Sequence, residues 1–78
     1  MREKTMRCVI TFPTTAAAMA MERSCAQLGL AGRLIPVPRS ITAGCGLCWA
    51  AAPELRTALE DAVMARGIQI SGVYSVML

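Results

Sequence analysis

Apolar and polar residues alternate from Met6 to Phe12. Met6, Cys8, Ile10 and Phe12 share one face and Arg7, Val9 and Thr11 the other, which is the two-residue period of a half-buried strand. The free thiol of Cys8 falls on the apolar face, so it reads as a core residue. Pro13-Thr14-Thr15 then supplies a turn with a hydroxyl to cap a helix. From Ala16 to Leu28 the spacing becomes helical. Ala18, Met21, Cys25 and Leu28 fall on one stripe, with Glu22, Arg23 and Gln27 outside it. Gly29 and Gly32 end the pattern.

Arg33 to Pro38 predicts a second strand, and its prolines confine it to a sheet edge because they cannot donate to a ladder. Leu47 to Ala52 is a third extended segment. Pro53 at a first helical position, with Glu54 beside the positive end, opens a second helix. Leu55, Ala58, Leu59, Ala62 and Val63 form its expected buried face, and Arg56, Glu60, Asp61 and Arg66 a solvated exterior. Gly67 ends that helix, and Ile68 to Leu78 reads as a final strand with Gly72 as a bulge. The order strand, helix, strand, strand, helix, strand predicts an α+β, ferredoxin-like two-layer sandwich over residues 1–78, with an antiparallel sheet and both helices on one face. The other face would carry Val9, Thr11 and half of the third strand. Such a half-apolar surface leads us to expect a homodimer.

Composition narrows the class. The 78 residues are 55% hydrophobic, which excludes a disordered chain, yet Phe12, Trp49 and Tyr74 are the only aromatics. The core must therefore be built from Ala, Leu, Ile, Val and Met. The net charge of +3 comes mostly from scattered arginines. It does not form the basic stripe with stacking aromatics that nucleic-acid binding needs, so no nucleic-acid partner is expected. Histidine is absent, which removes His-dependent triads, Cys-His pairs and mixed Cys/His zinc sites together.

Four cysteines in a short chain suit a disulfide framework only if the protein is secreted. Residues 1–20 imitate a signal peptide, but Pro13-Thr14-Thr15 splits the apolar run and cleavage would remove the best strand. No run approaches the roughly 20 apolar residues that span a membrane. Free thiols in a reducing cytoplasm, with no membrane partner, are the expectation.

The chemistry concentrates between Pro36 and Cys48. Gly44 and Gly46 bracket Cys45, Cys48 follows three residues on, and Arg39 and Ser40 precede. The glycines would let the loop turn and leave the Cys45 thiol accessible. Arg39 would favour its thiolate if the loop folds back. Against this stands a tight hairpin with an idle cysteine. In extended chain residues 45 and 48 lie roughly 10 Å apart, whereas a disulfide needs Cα atoms within about 7 Å. A redox pair therefore requires a local turn. If 47–52 is a regular strand, Trp49 faces the helices and Cys48 the other way. A CxxC metal chaperone would place the motif after the first strand, not between the second and third. An RNA-recognition domain would need exposed aromatics where Leu47-Cys-Trp-Ala-Ala-Ala52 stands. An anion-binding or regulatory module, using the Gly-rich loop with Arg39 and Ser40, stays open.

The stretch Arg33-Leu-Ile-Pro-Val-Pro-Arg-Ser-Ile-Thr-Ala-Gly-Cys-Gly-Leu47, preceded by Thr11-Phe-Pro-Thr-Thr15, resembles the selenium/sulfur carrier-like family over nearly the whole chain. That resemblance implies a carrier thiol at Cys45, with Arg39, Ser40, Gly44 and Gly46 as accompanying loop positions. It implies donor and acceptor proteins for sulfur or selenium as partners. It calls for no cofactor and no metal. Cys48 stands where the family pattern more often has a small apolar residue; as a resolving thiol it would make the loop a redox site. With no general base in sight, a carrier or binding protein is expected rather than a self-contained enzyme.

Overall fold

The computed structural model describes residues 4–41 and 44–78. Thr42 and Ala43 of the loop, and Met1 to Glu3 of the leader-like start, lie outside the described residues. Four strands and two helices follow in the order β1 (Met6–Thr11), α1 (Thr15–Leu28), β2 (Arg33–Pro36), β3 (Leu47–Ala51), α2 (Arg56–Arg66) and β4 (Gly72–Met77). The strands form one sheet in the order β2-β3-β1-β4, and every neighbouring pair is antiparallel. This is the α+β ferredoxin-like arrangement, with the proline-bearing β2 at an edge.

Local chemistry sets the element ends. Thr14 caps α1 by accepting the Ala17 N–H at 3.1 Å on its hydroxyl. Gly29 and Gly67 close the two helices in left-handed conformation, at φ of 70° and 64°. Pro53 does start a helical segment, but the segment begins as a 3-10 turn over Pro53–Leu55 before α2 proper. Its missing N–H costs nothing at that first position.

The core lies between the sheet and the helices. Cys8 and Ile10 from β1 and Phe12 just after it meet Ala18, Met21 and Cys25 from α1, Trp49 and Ala51 from β3, and Leu59 and Val63 from α2. The strand alternation and both helical stripes are thus realised, except at their margins. Leu28, the last residue of α1 before Gly29 stops it, is 47% exposed. Ala58 is exposed too, one position away from the face that Leu59, Ala62 and Val63 bury.

Two expectations are corrected on the far side of the sheet. Gly72 is not a bulge, since it pairs in register with Thr11, and Ser71 N–H donates to the Thr11 carbonyl at 2.7 Å. Its missing side chain serves close approach. A Cβ there would meet the Tyr74 hydroxyl at 2.8 Å, so the tyrosine ring lies over the glycine. The far face is also less open than the alternation suggested. Val9, Thr11 and Cys48 are fully buried within one copy of the chain, and Thr11 Oγ1 contacts the Gly72 carbonyl. The surface on which the homodimer expectation rested is therefore partly covered by the chain itself. Among the described residues, no helix is long and apolar enough to cross a membrane.

Candidate thiol site

The β2–β3 hairpin carries the cysteines. Beyond the last strand pair, Pro36 with Leu47, the ladder continues for one bond, from Val37 N–H to the Gly46 carbonyl at 3.0 Å. Ile41 N–H donates to the Pro38 carbonyl at 3.0 Å, which places Arg39 and Ser40 at the two central positions of an exposed turn. Gly46 has φ of 81°, a left-handed conformation that lets the chain enter β3 immediately after Cys45. Gly44 does not use that freedom. It lies instead against the β1–α1 corner, where an added Cβ would rest 3.4 Å from the Pro13 carbonyl oxygen and 3.7 Å from that of Phe12.

That contact brings the thiol loop to the end of β1 and the start of α1. The sequence pattern of the loop alone does not show this neighbour. The signal that could have found it is Thr11-Phe-Pro-Thr-Thr15, a segment distant in sequence that accompanies the loop in the resemblance.

Cys45 is half-buried. Its Sγ–H donates to the Leu47 carbonyl at 3.5 Å, and its side chain packs on the margin of the core. Accessibility is therefore partial rather than full. Among the described residues neither Arg39 nor Ser40 hydrogen-bonds to this thiol. The structure brings Cys45, Cys48 and the two glycines into one hairpin base, while Arg39 and Ser40 ride on its turn.

Cys48 differs sharply from Cys45. It pairs with Thr11 and Ile35 across the sheet, on the face opposite Trp49, as the alternation predicts. It has no exposed surface, and its Sγ contacts the Pro36 carbonyl at 3.9 Å. Burial, which disfavours the thiolate, and the negative charge of an ionised Cys45 together push its pKa up to about 11. Both thiols are free. Cys8 and Cys25 are also free, buried and shifted upward, chiefly by desolvation. They are core residues, as their positions predict. No three His, Cys, Asp or Glu side chains come together as a metal site among the described residues.

The fold and site define a small α+β domain that presents one accessible thiol at the base of an edge hairpin. A family model described as Putative Se/S carrier protein-like matches residues 7–75, from within β1 to within β4. The chain belongs to that family. No curated protein matches it, and no solved structure does.

Proposed function

We propose that the protein carries sulfur or selenium on Cys45, as a persulfide or selenosulfide passed between a donor and an acceptor protein. The observation that carries this reading is the contrast within one hairpin. Cys45 is the only cysteine with solvent access, whereas Cys8, Cys25 and Cys48 are buried.

The transfer needs no oxidant. The Cys45 thiolate attacks the terminal sulfur of a donor persulfide. The donor's S–S bond breaks, a new S–S bond forms on Cys45, and the donor thiolate leaves. Delivery reverses the roles. An acceptor nucleophile takes the outer sulfur and Cys45 departs as thiolate. Selenium follows the same electron count through an S–Se bond.

In this reading Cys48 protects the cargo by staying neutral. A nearby thiolate could attack the inner sulfur of a Cys45 persulfide, expelling sulfide and closing a Cys45–Cys48 disulfide. Burial and a raised pKa suppress that attack near neutral pH. The same features weigh against a redox pair as the primary function. Arg39 and Ser40, on the exposed turn of the same hairpin, are suited to contacting the protein that delivers or collects the cargo.

Rates of alkylation test the assignment of the thiol. Reduced protein is given limiting iodoacetamide at pH 8, and modified peptides are quantified with time. Cys45 should be labelled first by a wide margin. Equal labelling of Cys45 and Cys48 would remove the contrast on which the reading stands.

A further inference from the structure

We infer that a second site, at the end of the sheet away from the thiol hairpin, binds a small phosphate-bearing molecule. The half-open cleft there has a volume of about 740 Å³ and is lined by Lys4, Arg7 and Arg33, with Ile35, Ala50 and Gly32 among its walls. That volume is in the range of small-ligand pockets, about 300–1,000 Å³.

The register explains why the cations converge. Arg33 pairs with Ala50 and Ala50 with Val9, so these three form one cross-strand row. Arg7 precedes Val9 by two residues and Ile35 follows Arg33 by two, which puts both on the same face. Lys4 approaches from the end of β1, where Thr5 and Leu78 exchange backbone hydrogen bonds at 2.9 Å. Small residues at 50 and 52 keep the floor low beneath these long side chains.

Among the described residues no side-chain carboxylate lines the cleft, although Leu78 at the end of the chain is one of its walls, and none of the three cations forms an ion pair. Three like charges around an alanine-floored hollow repel one another unless an anion joins them. Two guanidinium groups and an ammonium match the several oxygens of a phosphate or diphosphate group, because Arg can engage two of them at once. Ile35 and Ala50 would take an apolar body attached to it. Concavity favours a small molecule over an acidic protein segment, which would seek a flatter, longer surface.

A second observation marks the same wall. Among the described residues Trp49 Nε1, which is buried, has no hydrogen-bond partner, and Gly32 lies directly over it: a Cβ there would come within 2.6 Å. The one tryptophan of the chain thus reports on a residue that lines the cleft.

The site is distinct from the thiol. Arg33 begins β2 and Cys45 lies beyond its far end, so anion binding and sulfur loading can be scored separately. The test uses the full chain and inorganic pyrophosphate as probe, following the Trp49 indole N–H resonance and the backbone amides of Gly32 and Arg33. A saturable shift is expected with pyrophosphate and not with sodium chloride at equal ionic strength. The double variant Arg7→Gln/Arg33→Gln should raise Kd by about tenfold or more, in line with losing two charge-assisted contacts. Unchanged circular dichroism would show that it folds, and Lys4→Gln supplies a milder variant. No saturable response into the millimolar range, or one that the double variant leaves intact, overturns the proposal. A response to an oligoglutamate peptide but not to pyrophosphate overturns the small-ligand assignment in favour of an acidic protein segment.

Discussion

Cys48 is buried directly across the sheet from Ile35, and that burial, with a smaller contribution from an ionised Cys45, raises its pKa, whereas Cys45 meets solvent. One position in this hairpin has a thiol that meets solvent, and its neighbour three residues on is buried beside the Pro36 carbonyl. The pair therefore behaves as two thiols of opposite character rather than as a matched dithiol.

Stability should fall in alkali. For Cys48 the folded-state pKa of about 11 lies above its ordinary value of 9.0. Ionisation is then easier in the unfolded chain, so the contribution of the buried thiol is full below pH 9 and is lost as pH rises towards 11. Two units correspond to about 2–3 kcal/mol. Cys8 and Cys25 act in the same direction. Urea unfolding under reducing conditions between pH 8 and pH 11 measures this. Cys48→Ala should flatten the slope, and a stability that rises with pH in that window would contradict the burial argument.

The two glycines around Cys45 should respond differently to alanine. At Gly46, with φ of 81° and nothing within 4 Å, the penalty is backbone strain of about 1–2 kcal/mol. At Gly44 the added methyl makes ordinary contact with Pro13 and φ is not left-handed, so the change should be close to neutral. Thermal melts of the two variants decide it. A Gly44→Ala protein as destabilised as Gly46→Ala would mean that the loop is held otherwise than described.

Thr14→Ala should cost about 1 kcal/mol through the lost cap on α1. Because Thr14 follows Pro13, on which Gly44 rests, the same change should also shift the amide resonances of Gly44 and Gly46. Thr14→Ser should restore both stability and shifts. If stability falls while the loop resonances stay fixed, the corner and the loop are not coupled.

Much of this was legible in the residues. Strict alternation in β1 and the 3.6-residue stripes of both helices specified the core, because each apolar set has one face to bury. The prolines of β2 specified an edge, and the opposed directions of Cys48 and Trp49 followed from strand geometry. The misses have physical reasons. Gly72 looked like a bulge because glycine in a strand signals either a bulge or a close approach, and only the tertiary position of Tyr74 selects the second. Val9 and Thr11 looked open because alternation does not show how closely neighbouring strands and their side chains pack around a position. The Gly44–Pro13 contact and the cationic cleft join residues far apart in the chain, and single-sequence spacing carries no record of such neighbours.

Sulfur loading tests the central claim most directly. Reduced protein is incubated with a cysteine desulfurase and cysteine, then intact and peptide masses are taken. The account predicts a gain of one sulfur, about 32 Da, on the Cys45 peptide, retained in Cys48→Ser and lost in Cys45→Ser. A loss of about 2 Da linking Cys45 to Cys48 would instead indicate a redox pair. A Cys45 that stays unmodified with this donor, or sulfur that settles equally on Cys48, would contradict the carrier assignment.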